Sequence, residues 1–86
     1  MAVNILIVDD SKTCLLFLCK LVKEIKPSAE IHTFSLPIQA LEFYKKNSVD
    51  VVITDMRMPE MNGIELSEEL VKVNPYEKVI LITSFS

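Results

Sequence analysis

Asn4-Ile5-Leu6-Ile7-Val8-Asp9-Asp10 opens an 86-residue chain with a short apolar run ended by two acids. The run is rich in β-branched residues and too short for a helix, so it reads as a strand buried on both faces. Such strands belong to parallel sheets covered by helices; a half-solvated antiparallel strand alternates polar and apolar instead. The chain beyond it fits. Residues 12–26 carry helical periodicity, with Cys14, Leu15, Leu18, Leu21, Val22 and Ile25 on one face and Lys20, Lys23 and Glu24 on the other. Asp10 or Ser11 caps its start and Pro27 closes its end. Glu30-Ile31-His32-Thr33-Phe34 alternates polar and apolar as an edge strand does, which puts His32 on the surface.

Ser35, with Pro37 in the first turn, opens a helix through Ile38, Ala40, Leu41, Phe43 and Tyr44 that fades at Lys45-Lys46-Asn47. Val49 to Thr54 is a second buried strand, ending in Asp55. A loop from Met56 to Asn62 contains Pro59. Gly63 then begins a helix to about Asn74, with Ile64, Leu66, Leu70, Val71 and Val73 inward. Glu65, Glu68, Glu69 and Lys72 form its solvent face, with Glu68–Lys72 a favourable i,i+4 pair. Lys78-Val79-Ile80-Leu81-Ile82-Thr83 is a further apolar strand.

The pattern is βαβαβαβ, an α/β sequence. Strands alternating with helices imply a parallel sheet with right-handed crossovers. The two buried-type strands, 4–8 and 50–54, belong at its centre, giving the order 2-1-3-4. The 12–26 helix is expected on one face, with the 36–46 and 63–74 helices divided between the faces.

Composition narrows the function classes. With half the residues hydrophobic and a single Gly, the chain is neither a disordered tail nor a Gly-rich repeat. Its net charge of −3 has no basic patch to follow a phosphate backbone, which excludes nucleic-acid binding. The longest apolar run, Cys14 to Cys19, is far short of the ~20 residues that span a bilayer. Cys14 and Cys19 lie five apart on a helix, which turns their side chains apart, so they read as reduced thiols of a cytoplasmic protein. Met56, Met58 and Met61 read as loop packing, since thioethers prefer soft ions.

In an open parallel sheet, ligands bind beyond the carboxyl ends of the strands. Here those ends carry Asp9-Asp10, Asp55 and Thr83-Ser84. One Asp after a strand is an ordinary turn residue or helix cap. Two adjacent Asp at one central strand end and a third at its neighbour's end put three carboxylates at close range. They repel unless a cation neutralises them. Mg²⁺, which accepts one or two carboxylates together with waters and phosphate oxygens, suits an open acidic rim better than Ca²⁺.

These residues carry a resemblance. Ile5-Leu6-Ile7-Val8-Asp9-Asp10-Ser11 and Val51-Val52-Ile53-Thr54-Asp55-Met56-Arg57-Met58-Pro59-Glu60-Met61-Asn62-Gly63-Ile64-Glu65-Leu66 resemble the receiver domain of two-component response regulators, and Val79 to Ser84 resembles the fourth strand of that family. The resemblance implies a flavodoxin-like, doubly wound parallel sheet. It implies that Asp55 is the phosphoacceptor, taking a phosphoryl group from the phosphohistidine of a histidine kinase or phosphotransfer domain. Asp10 would hold Mg²⁺, with Asp9 assisting and the backbone carbonyl of Arg57 completing the protein ligands. Thr83 would hydrogen-bond the acyl phosphate and report it. Such a module promotes its own phosphoryl transfer and dephosphorylation and is not a classical enzyme.

A full receiver also has a fifth strand ending in Lys-Pro and two further helices. No Lys follows Lys78, and Phe85 stands in the wrong place to replace the aromatic of the fifth strand. Residues 1–86 therefore read as a partial receiver, a fragment ending after the fourth strand, with weakened phosphorylation. Two other Asp- or phosphate-based readings fit less well. A haloacid-dehalogenase-type phosphatase would have Asp-x-Asp after the first strand, and a nucleotide binder a Ser/Thr/Gly-rich loop that Asp9-Asp10 does not provide. The remaining alternative is a receiver-shaped interaction or dimerisation module. Self-association is expected through strand 78–83 as an open apolar edge and through the helix 12–26, whose apolar arc is wider than one sheet face needs.

Overall fold

The computed structural model describes residues 2–83; the expectations for Ser84 and Phe85 lie outside them. Four parallel strands, β1 (Asn4–Val8), β2 (Glu30–Phe34), β3 (Val51–Asp55) and β4 (Lys78–Ile82), form one sheet in the order β2-β1-β3-β4. They alternate with helices α1 (Lys12–Ile25), α2 (Pro37–Lys46) and α3 (Gly63–Val73). The α/β fold class and the strand order agree with the sequence reading. Asp55 is the last residue of β3, paired with Ile82, and Thr83 lies one residue past β4.

The helices are not shared out as expected. Leu15, Leu18 and Val22 of α1 pack on Ile5, Ile7 and Ile53 on one face of the sheet. Ala40, Leu41 and Tyr44 of α2 and Leu66 and Leu70 of α3 pack together on Leu6, Val8 and Val52 on the other. The handedness rule explains this. The chain steps one way from β1 to β2, then the other way from β2 to β3 and from β3 to β4, so right-handed crossovers place α1 alone and α2 with α3. Full burial of each Leu in this core contributes about 1.5–3 kcal/mol.

Ser11 is the α1 cap, its side chain accepting from Cys14 N–H at 3.3 Å. Asn62 and Glu65 form a reciprocal capping box on α3, with bonds of 2.8 and 3.0 Å. Leu36, not Ser35, caps α2, with no side-chain bond. Lys72 pairs with Glu69 at 2.6 Å, one turn position away from the expected Glu68. His32 is half-buried. Its ring lies 4.7 Å from that of Phe43 and its Nε2 lies 3.4 Å from Asn4 Oδ1, so the edge strand is covered by α2 on that side.

Several residues read as inward are exposed: Leu21 and Ile25 of α1, and Ile64, Val71 and Val73 of α3. An apolar arc read from periodicity gives the width of the stripe, whereas the neighbours present decide how much of it is covered. Cys14 and Cys19 are both free thiols, as their spacing requires.

Candidate functional site

The carboxyl ends of β1 and β3 meet at the centre of the sheet, and two loops leave from them. Asp9 follows β1, its backbone N–H donating to the Phe34 carbonyl at 3.1 Å. Its side chain is buried and accepts from Ser11 N–H at 2.9 Å. Asp10, next along, is exposed. Asp55 is buried, and its Oδ1 is the one buried side-chain oxygen or nitrogen without a hydrogen-bond partner among the described residues. One carboxylate oxygen from each of Asp9, Asp10 and Asp55 lies within 4.8 Å of the others.

This geometry is electrostatically unfavourable by itself. Burial, the largest cause, pushes the Asp9 carboxyl above the usual carboxylate value of 3.8; the Ser11 N–H opposes the rise, and the charges of Asp55 and Asp10 add to it. A buried oxygen without a donor is rare in a folded protein and asks for a counter-group. Three hard oxygens, two buried at strand ends and one open to solvent, are the donor chemistry that a Mg²⁺ ion with retained waters accepts. The residues present therefore fit that metal.

The loop after Asp55 is fastened at both ends. Met56 N–H donates to the Ile82 carbonyl at 3.0 Å, and Gly63 N–H donates to the Met56 carbonyl at 2.9 Å. That return brings the start of α3 against the end of β3. A Cβ on Gly63 would collide with the Asp55 carbonyl oxygen and lie 3.1 Å from Met56 Cα. The single Gly of the chain is thus required for close approach, and no Gly here has a positive φ. The positive φ falls instead on Glu60, at 71°, in the turn after Pro59, where an L-residue is strained by about 1–2 kcal/mol. Thr54, fully buried, donates from Oγ1 to the Asp55 carbonyl at 3.1 Å and lies 3.9 Å from Met58 Sδ. Thr54 carries no signal in the sequence that separates it from any strand threonine.

Beside the carboxylates lies a groove of about 500 Å³ lined by Met56, Arg57, Met58, Asn62, Ile64 and Thr83. Thr83 and Arg57 are both exposed in its wall. The structure thus gathers Asp9, Asp10 and Asp55 into one cluster and sets Arg57 and Thr83 on one rim beside it.

A family model described as the response regulator receiver domain matches residues 5–86. The chain belongs to this family. The receiver is 32% identical over 85 residues to the cyclic di-GMP phosphodiesterase response regulator RpfG of Xanthomonas campestris pv. campestris, covering 96% of this chain and 22% of that protein. It is 33% identical over 87 residues to the chemotaxis protein CheY of Thermotoga maritima, covering 98% and 69%. Among solved structures, it is similar to a chain in the complex of histidine kinase ThkA with response regulator protein TrrA, at 32% identity and a TM-score of 0.87, covering 98% and 71%. The receiver spans about a fifth of the length of the first of these relatives. The two-component signalling class follows from the family. No helix of the described residues is long and apolar enough to cross a membrane.

Proposed function

We propose that the receiver accepts a phosphoryl group on Asp55 from the phosphohistidine of a histidine kinase or phosphotransfer domain. The observation that carries this reading is the buried, unpartnered Asp55 Oδ1 beside two further carboxylates at the sheet's carboxyl rim. A carboxylate oxygen of Asp55 bonds to phosphorus as the phosphorus–nitrogen bond of the donor breaks, and the departing imidazole nitrogen keeps the electron pair. Such a transfer asks the protein for positioning and charge stabilisation more than for covalent chemistry.

Asp10, Asp9, Asp55 and the Arg57 carbonyl would hold Mg²⁺, which when bound supplies the positive charge that the phosphoryl oxygens and the carboxylates share. Ser11 N–H holds the Asp9 carboxylate in place for that task. Gly63 lets α3 close on the Asp55 backbone, fixing the position of the nucleophile. Thr83, in the groove wall, would hydrogen-bond the acyl phosphate and so transmit its presence to β4. Coverage of about 70% of two receiver relatives supports residues 1–86 as part of a receiver, and the family supports cytoplasmic signalling without classical enzyme turnover.

The test is intact-mass measurement after incubation with Mg²⁺ and acetyl phosphate or phosphoramidate. The wild-type chain is expected to gain one phosphoryl group, and Asp55→Asn none. A phosphoryl gain in Asp55→Asn equal to wild type would overturn the assignment.

A second reading, self-association, rests on the edge of the sheet. β4 pairs on one side only among the described residues, and Ile80 and Leu81 are 52% and 42% exposed along it. A long apolar edge is a template for pairing with another copy. Light scattering across a concentration series is expected to show a dimer that uses β4 and the exposed Phe17, Leu21 and Ile25 of α1. A monomer at the highest concentration would remove this reading.

A further inference from the structure

The helix α1 carries two different flanks beside its buried stripe. Toward β4 lie Phe17, Leu21 and Ile25. Toward the outer strand β2 lie Lys12, Leu16, Cys19, Lys20 and Lys23, which at 100° per residue fall within an arc of about 100°. The Lys23 ammonium fixes the direction of this second flank, donating to the Ala29 carbonyl at 2.6 Å just before β2. The arc contains three lysines and no acid, on a chain whose net charge is −3. Among the described residues the ion pair found is Lys72–Glu69, on α3, so no lysine of α1 has an acidic partner.

An apolar groove of about 430 Å³ runs along this flank, lined by Leu16, Cys19, Lys20 and Lys23. Leu16 is 73% exposed at its centre. Lys20 and Lys23, three apart, are a like-charge pair that weakens an isolated helix by about 0.2–0.5 kcal/mol. An opposing acidic surface removes that repulsion and covers Leu16 at the same time.

We propose that this flank docks an amphipathic helix of another protein whose apolar stripe is bordered by Asp and Glu. The apolar residue and its lysines recur at i, i+4 and i+8 (Lys12, Leu16, Lys20), the spacing at which a second helix meets one helix face. Charge complementarity selects the acidic border over a basic or neutral one. The groove lies about 6–16 Å along the helix axis from the α1 N-terminus, on the side of β2. Its occupant approaches the acidic rim only at Lys12, so the Asp9, Asp10 and Asp55 carboxylates stay outside the groove.

The experiment uses the 86-residue chain and two synthetic peptides of about 18 residues, long enough to hold a helix. Both carry one Leu/Ala stripe, bordered by Glu in the first and by Lys in the second. The Glu-bordered peptide is expected to shift the amides of Leu16 to Lys23 and of β2, and to slow iodoacetamide alkylation of Cys19 while leaving Cys14 unchanged. Lys20→Glu is expected to weaken that peptide by about tenfold and to admit the Lys-bordered one. Leu16→Ser, at an exposed position, is expected to weaken the Glu-bordered peptide without loss of helicity by circular dichroism. Phosphorylation by acetyl phosphate should be unaffected by bound peptide. Equal binding of the two peptides, absence of α1 shifts at millimolar peptide, or shifts centred on the Phe17 flank would each overturn the proposal. So would occupation of the flank by a second copy or by anionic vesicles in preference to the peptide.

Discussion

Gly63→Ala is expected to destabilise the receiver by about 2–3 kcal/mol, although alanine is the better helix former. Helix propensity alone favours Ala over Gly by about 1 kcal/mol in a helix interior. Gly63 is the first residue of α3, where that advantage is smallest, and its Cβ direction is filled by backbone. The added methyl would meet the Asp55 carbonyl oxygen, with Met56 Cα 3.1 Å away. Neither can rotate aside as a side chain could. The loop is held by the Met56–Ile82 and Gly63–Met56 hydrogen bonds, so relief requires one of them to break. Urea unfolding should show a lower midpoint with an unchanged slope. Mg²⁺ affinity should fall with it, because the displaced atoms belong to Asp55. A midpoint equal to or above that of wild type would show that α3 can shift without cost.

The second large effect is a gain. Asp55→Asn is expected to stabilise the metal-free chain by about 1–2 kcal/mol. Two unit charges 4.8 Å apart repel by about 3 kcal/mol at an effective dielectric of 20, and solvent at the exposed Asp10 reduces the realised gain. The amide also brings a donor to a place where Asp55 Oδ1 has none. Mg²⁺ should reverse the order, stabilising wild type more than the variant. Asp9 gives the corresponding pH dependence. Its folded-state pKa lies above 3.8, so the folded chain holds a proton that the unfolded chain has released. Stability is then lost as pH rises through that window, measured as wild type minus Asp9→Asn without metal. Asp55→Asn less stable than wild type in the presence of a chelator would contradict the repulsion between the carboxylates.

The legible part of this protein was the part encoded by short-range pattern. Buried strands ended by Asp9-Asp10 and Asp55 are visible because side-chain period and strand-end chemistry depend on a few neighbouring residues. From alternating strands and helices the parallel sheet follows, and from the sheet the meeting of three carboxylates on one rim. The Asp55-Met56-Arg57-Met58-Pro59 string added the family. The capping box of Asn62 and Glu65 was present in the letters and could have been read, since it too is local.

Long-range placement was decided by the folded chain. Sequence spacing does not distinguish the buried, hydrogen-bonded Asp9 from the exposed Asp10, because the difference lies in whether Ser11 N–H turns back toward the strand end. The need for Gly63 is steric, imposed by a carbonyl eight residues earlier that α3 approaches closely. Thr54 became part of the site's support only through the backbone carbonyl and the thioether beside it. Leu21 and Ile25 of α1 and Ile64, Val71 and Val73 of α3 read as inward, but a helix buries only the stripe that has a neighbour, and the sheet covers one side of each. The sequence by itself therefore determined the order of the elements, the sheet and the identity of the acidic cluster, through interactions within a turn or two of chain. Burial, hydrogen-bond partner and close contact were settled by the tertiary structure, since each depends on atoms that are distant in sequence until the sheet and helices pack.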